Sequence, residues 1–266
     1  MSTLTPSIKR PARGLWLWAC AGACIGVGAA LLLLAPARWL AAGLEQFSEG
    51  HLQLRQVQGT VWAGSAELVL TGPQGSQGAT RLPGRVQWRV QAAWSHLAMA
   101  LQADCCMPQA LTLRVTPRRD RLQFTVDDSQ STWPMALFSG LGTPWNTVQL
   151  EGELHLRSRG LRAQWAGGPL QVDGELQLEA RDLRSPLSTL KPMGSYRVTL
   201  GGGASPSLQL ETLSGSLQLS GHGHWNGAHL HFDGVASALP AHEAELSNLL
   251  NIIGRREGPR SILKAG

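Results

Sequence analysis

The sequence predicts a mainly β protein: a single N-terminal transmembrane helix, then an extended antiparallel β-meander forming a curved sheet, then a C-terminal amphipathic helix. Three observations carry this expectation. An apolar run of 22 uncharged residues occupies positions 14–35, enough to cross a bilayer core of roughly 30 Å. Beyond residue 50, segment after segment alternates apolar with polar residues, the mark of strands with one wet face. Charged residues make up only 15% of the chain, whereas Gly and Pro number 31 and 15, and that turn-rich composition fits sheet better than helix.

Residues 1–13 read as a cytoplasmic stub. Lys9, Arg10 and Arg13 precede or open the apolar run and only Arg38 follows closely, so the positive-inside bias keeps the N-terminus in the cytoplasm and sends the bulk across the inner membrane. Trp16 and Trp18 near one end and Trp39 beyond the other suit the two interfaces. "APA" at 35–37 resembles a signal-peptide cleavage site and "AGAC" ending at Cys24 resembles a lipoprotein site. The length of the run and its apolar continuation past Cys24 favour an uncleaved signal anchor at 14–35. Within it, Gly22 and Gly26 form a G-x-x-x-G spacing that lets two helix backbones approach, a route to helix packing and self-association. The basic excess flanks this segment and the remainder is near neutral, so the charge makes no case for nucleic acid.

Residues 36–50 form a juxtamembrane linker and 51–266 the periplasmic β-rich domain. Strand alternation runs through Val86, Trp88 and Val90, then Leu97, Met99 and Leu101, then Leu111, Leu113 and Val115, then Leu122, Phe124 and Val126. It resumes at 148–156, 170–178, 196–200, 208–210 and 217–219. "VQLEGELHLRSRGL" (148–161) and "LQVDGELQLEARDL" (170–183) match at an offset of 22 residues, and "LETLSGSLQLSGHG" (210–223) echoes them. A strand–Gly–strand repeat predicts stacked hairpins with a bend or bulge at each Gly. Three stretches interrupt the rhythm. "STWPMALFSGL" (131–141) predicts a short helix with Thr132 capping and Pro134 in its first turn, and "RSPLSTLKPMGS" (184–195) a Pro-bounded loop or single turn. "LPAHEAELSNLLNIIG" (239–254) predicts a helix whose Leu246, Leu249, Leu250 and Ile253 form one apolar stripe. Cys105 and Cys106 are adjacent, so a bridge needs a distorted backbone and free thiols are an equal expectation.

The motifs with chemical meaning are few. "STLK" at 188–191 has a Ser-x-x-Lys spacing, yet Ser-Asp-Asn and Lys-Thr-Gly elements are lacking and Pro192 follows the lysine directly, which disfavours the required helix. "HEAEL" at 242–246 carries Leu246 where a zinc-protease helix needs its second histidine. "GPQGSQG" (72–78) lacks a phosphate-binding lysine. Nothing supports an enzyme, and no cofactor is implied. The sharpest local pattern is "SGHGHWNGAHLHFDG" (220–234). Asn226-Gly227 is a hairpin signal, and a two-residue turn there sets His224 opposite His229 and His222 opposite His231. Period two then puts His222, His224, His229 and His231 on one face, a candidate metal site or pH switch set against an ordinary solvated face.

"VQGTVWAGSAEL" (57–68) reads as architecture, with Gly59 and Gly64 letting the strand turn or bulge and Val61 or Trp62 anchoring it to the sheet; docking of a partner through Trp62 is the second reading. Together with "RDLRSPLSTLKPMGSYRVTLGG" (181–202), "LSGSLQLSGHGHW" (213–225) and the terminal "LSNLLNIIGRREGPRSILKAG", it makes the chain resemble the N protein of the bacterial type II (general) secretion system. The resemblance covers the chain from the anchor onward and rests on the G-T-x-W-x-G element, the S-P-L-S-x-L-x-P-x-G-S-Y loop with Ser185, Pro186 and Tyr196, and the Leu-rich helix ending in Gly-Arg-Arg. It implies a non-enzymatic, single-pass inner-membrane component that assists export of folded proteins across the outer membrane. The implied partners are other inner-membrane secretion subunits and the lipid around the anchor. An AsmA-like periplasmic lipid-conveying protein, with an open apolar groove, is the alternative.

Overall fold

The computed structural model describes residues 13–73, 78–143, 145–167, 171–226 and 229–265. The stub up to residue 12 and the middle of the 72–78 loop lie outside the described residues. Two helices lead: α1 (Arg13–Leu33) and α2 (Arg38–Phe47). Trp16, Trp18, Ile25, Val27, Leu31 and Leu33 of α1 are all more than half exposed, so the rest of the chain leaves this apolar surface uncovered. Among the described side chains no helix is long and apolar enough to cross a membrane. The side chains of residues 13–15, 17 and 32, all but the first inside the expected span, are not among those described.

The body is one antiparallel sheet of sixteen described strands. Its first half comprises β1 (Leu52–Gly59), β2 (Ala63–Thr71), β3 (Ala79–Arg81), β4 (Val86–Ala92), β5 (Leu97–Ala103), β6 (Leu111–Pro117), β7 (Leu122–Val126) and β8 (Ser129–Pro134). The short helix α3 (Trp145–Val148) precedes the second half. That half comprises β9 (Glu151–Trp165), β10 (Gln171–Arg184), β11 (Gly194–Gly201), β12 (Ser207–Gly215), β13 (Leu217–Asn226), β14 (His229–Ala238), β15 (Arg255–Glu257) and β16 (Arg260–Ala265), with α4 (Glu243–Ile253) after β14. The sheet runs β1-β2-β4-β5-β6-β7-β9-β10-β11-β12-β13-β14-β16-β15, with β3 beside β2 and β8 beside β9. This is the expected meander, with the addition that β7 and β8 share the long strand β9.

Registry shows why the alternation gives one continuous apolar side. Met99 faces Leu113, which faces Val126; Leu97 faces Val115, which faces Phe124. Leu176 faces Leu200, and Leu200 faces Leu208. Residues paired across strands share a face, so every pair extends the same apolar surface. The repeat units end up as neighbours, β9 against β10, and the Gly of each unit bends its strand: Gly152, Gly174 and Gly215 adopt φ of 136°, 99° and 114°. The β9–β10 register shifts beside Gly174 and again opposite Gly152, the bulges that the Gly breaks predicted.

Residues 131–141 differ from expectation. Ser131, Thr132 and Trp133 pair with Leu156, His155 and Leu154 as part of β8, and only Met135–Leu141 turns, as a 3-10 helix preceded by Pro134. Thr132 therefore sits in a ladder and caps nothing. Alternation of Ser131 and Trp133 against β9 outcompeted the Pro-initiated helix. The 239–254 helix is present as a 3-10 turn (Pro240–His242) continuing into α4, with Leu246, Leu249 and Leu250 buried to 2% exposure or less. Residues 185–193 form a loop, as expected. Cys105 and Cys106 are joined by a disulfide.

Covering elements divide the apolar face. In the second half, α4 and the 185–193 loop close over Leu154, Leu183, Met193, Tyr196, Leu217 and Ala236. In the first half, Leu137 of the 3-10 segment joins Leu82, Val86, Ala103, Cys106 and Met107. A third, small cluster of Ala37, Ala66 and Trp88 lies where the leading helices meet the sheet.

Candidate functional site

The stretch 57–68 becomes the β1–β2 hairpin turn, and the segment leaving α1 is stitched to it. Pro36 bridges Thr60. The Val61 N–H donates to the Ala35 carbonyl at 2.9 Å and the Ala37 N–H to the Gly59 carbonyl at 3.2 Å. Ala35 and Ala37 are buried at 7% and 2% exposure, so the junction is a fixed joint. Gly59 has φ 89°, and Gly64 is required by contact: a Cβ there would lie 2.5 Å from both the Trp88 indole and the Gln58 carbonyl. Trp88 is 4% exposed and donates its Nε1–H to the Thr60 carbonyl at 3.1 Å.

Trp88 fills the space above Gly64 and ties the turn to the sheet. Val61 acts through its backbone, and the Trp62 carbonyl accepts from the Val90 N–H at 2.6 Å. The sequence marked Trp88 as inward-facing through its alternation but gave no sign of its partner, because β2 and β4 are separated by β3. A bulge at Gln56 (φ 49°) is held by Arg85, which donates to the Gln56 carbonyl at 2.8 Å and to Ser65 Oγ at 3.2 Å.

The second predicted group seats the C-terminal helix. Ser185 is 1% exposed; its Oγ–H donates to the Val148 carbonyl at 2.5 Å and its Oγ accepts from the Leu187 N–H at 3.2 Å. Ser188 repeats the device, donating to the Glu245 carbonyl of α4 and accepting from the Leu190 N–H. Pro186 is exposed at the turn between them. Tyr196 is buried and donates its hydroxyl to the Leu217 carbonyl at 3.0 Å; burial pushes its phenol above the ordinary range. Ser188 of "STLK" and Ser185 upstream of it are helix-seating groups in a loop.

The four histidines share one side of β13 and β14, but in a different register. His224 pairs with His231, His222 with Asp233 and Asn226 with His229. This register differs from the one a two-residue turn at Asn226-Gly227 sets; residues 227 and 228 lie outside the described residues. The His224 and His231 rings stack at 5.6 Å between centroids. Among the described residues no group of three His, Cys, Asp or Glu is placed to hold a metal ion. Gly22 and Gly26 sit on α1 with nothing within 4 Å of a Cβ at either position.

Two polar arrangements were not legible in the sequence. Thr132 Oγ1 lies 3.2 Å from His155 Nδ1, and His155 Nε2 lies 3.2 Å from Glu153 Oε2. The order is that of a nucleophile, base and orienting acid, but the Thr132 N–H is engaged by the Cys106 carbonyl and the ladder occupies its neighbours, so among the described residues its backbone offers no free oxyanion donor. On the same side Arg197 bridges Glu179 and Glu211, and Arg181 also binds Glu179. Hydrogen bonds from Arg181 and then Arg197 hold the Glu179 carboxyl below its usual range against the opposing effect of burial.

These features define a mainly β protein whose single antiparallel sheet is jointed to a leading apolar helix. The model of the family described as type II secretion system (T2SS), protein N, matches residues 50–262. The chain belongs to that family, as its motifs implied, and so to the machinery of type II secretion. No curated protein and no solved structure matches it.

Proposed function

We propose that this chain is a non-enzymatic, single-pass component of the type II secretion system, held in the inner membrane by residues 14–35 with its sheet in the periplasm, where it assists export of folded proteins. The family match carries the secretion role. The anchor is supported by the 22 uncharged residues, by the basic residues before them, and by a 21-residue helix with its apolar side chains exposed; at ~1.5 Å per residue such a helix is about as long as a bilayer core is thick. Burial of Ala35 and Ala37 against the β1–β2 turn couples sheet to anchor, as a subunit working at a fixed height above the membrane requires. Contacts with other inner-membrane subunits and pairing through Gly22 and Gly26 belong to the same proposal. The lipid-conveying alternative draws no support from the family match.

Deleting the chain from its host and following a folded type II cargo tests the role. Cargo accumulates in the periplasm and reappears outside when the chain is resupplied. Unchanged export in its absence would overturn the proposal.

A further inference from the structure

Strand order and registry divide the sheet into two ends with different chemistry. The β1–β2 turn, to which the exit of α1 is stitched, lies at the same end as the β4–β5 tip, because the Val90 N–H bonds the Trp62 carbonyl just before β4 ends. Antiparallel succession then places the β6–β7 and β11–β12 tips at that end too, with the strand ends Trp165, Gln171, Asn226 and His229. The opposite end holds the 185–193 loop, the β5–β6 connection and α4, while the β7–β8 connection lies partway along β9, where the Gly160 N–H donates to Asp128.

Tryptophan collects at the anchor end. Trp39 begins α2, Trp62 is in the β1–β2 turn, Trp94 tips the β4–β5 hairpin, and Trp165 and Trp225 close β9 and approach the tip of β13. Trp94 is 109% exposed and Trp165 47%; a fully exposed indole at a hairpin tip performs no packing within the fold. Arg118, Arg119 and Arg121 crowd the β6–β7 tip with Asp120 as the acid among them. The opposite end mixes both signs: Asp104, Glu243, Glu245 and Glu257 stand there with Arg85, Arg184, Lys191, Arg255, Arg256 and Arg260.

We infer that the described tips at the anchor end, β4–β5, β6–β7 and β11–β12, form a lipid-contacting edge, on which the sheet stands against the anionic bilayer surface that its own helix crosses. The inference rests on the anchor proposed above. Indoles are at their most favourable at the headgroup level, half apolar and half wet, and arginines gain from anionic lipid within about 8 Å of it at physiological salt. Because neighbouring strands twist by roughly 20° each, the tips trace a curved line. Contact is strongest at the β4–β5 and β6–β7 tips nearest the joint and weaker at the β11–β12 tip. The exposed Trp94 and the three arginines then contact lipid, and one helix suffices to orient a long, narrow sheet.

The test uses the full chain carrying Cys20→Ala and Cys24→Ala in vesicles of phosphatidylethanolamine and phosphatidylglycerol containing a spin-labelled lipid. A fluorophore is attached singly at Ser95→Cys, Ser205→Cys, Gln109→Cys, Glu243→Cys or, within α1, Val27→Cys. The inference expects strong quenching at 27 and 95, weaker quenching at 205 and none at 109 or 243. Arg118→Gln with Arg119→Gln and Arg121→Gln, or replacement of phosphatidylglycerol by phosphatidylcholine, lowers quenching at 95 several-fold while leaving 27 unchanged. Quenching at 27 with none at 95, or equal quenching at 95 and 109, overturns the lipid-contacting edge and spares the anchor. No quenching at 27 overturns the anchor and this inference with it.

Discussion

The two halves of the sheet follow the same alternating pattern and are closed in different ways. From β1 to β8 the strands are three to nine residues long, and the apolar side is covered in two small patches, one under the 3-10 segment and one at the anchor joint. From β9 onward the strands reach 15 residues and a single larger core lies beneath α4 and the 185–193 loop. The lesson is that alternation makes the sheet, while stability resides wherever something covers it. The second half depends on buried leucines, the first on close backbone approach around Trp88.

Three substitutions sharpen this contrast. Leu250→Ala has the largest effect, because Leu250 is 0% exposed in the centre of α4. A loss of about 2–5 kcal/mol is expected, read by denaturant unfolding, with hydrogen exchange accelerating first across β13–β16. Gly64→Val follows, at roughly 1–3 kcal/mol for forcing side-chain atoms into the Trp88 ring and the Gln58 carbonyl. Its exchange signature is confined to β1, β2 and β4. If Gly64→Val loosens β13–β16 as much as Leu250→Ala does, the halves form one cooperative core and the contrast fails.

Glu179→Gln is the mildest. Glu179 is held below its usual pKa by hydrogen bonds from Arg181 and then Arg197, so its contribution is complete above the unfolded-state value of about 4.3 and lost as pH falls through the lower folded value. Because both arginines are partly exposed, at 53% and 31%, the pair contributes only about 0.2–1 kcal/mol at neutral pH. Melting temperature against pH should fall less steeply in acid for the variant than for the parent; superimposable curves would show that the ion cluster carries no stability.

Much of this fold was legible beforehand because it depends on short-range pattern. Period two located the strands, the Leu246–Ile253 stripe located α4, and Gly152, Gly174 and Gly215 located bends. Contacts distant in sequence were illegible. The space that Gly64 leaves for Trp88 needs the β2–β4 pairing, which skips β3, and the helix-seating roles of Ser185 and Ser188 need α3 and α4 to arrive from either side. The register of the histidine strands was misread because Asn226-Gly227 is a strong local signal, whereas cross-strand pairing of Trp225 with Leu230 and Gly223 with Phe232 decided it. At 131–141, likewise, the Pro signal was local and the β9 ladder was not.

The central claim is that the sheet stands outside the cytosol on an anchor that remains in the bilayer. Its most direct test is labelling of the Cys20→Ala/Cys24→Ala chain with a membrane-impermeant thiol reagent in cells whose outer membrane alone has been opened. Ser205→Cys should react and Ser7→Cys should react only after the inner membrane is broken. A protected Ser205→Cys beside a reactive Ser7→Cys would contradict the account.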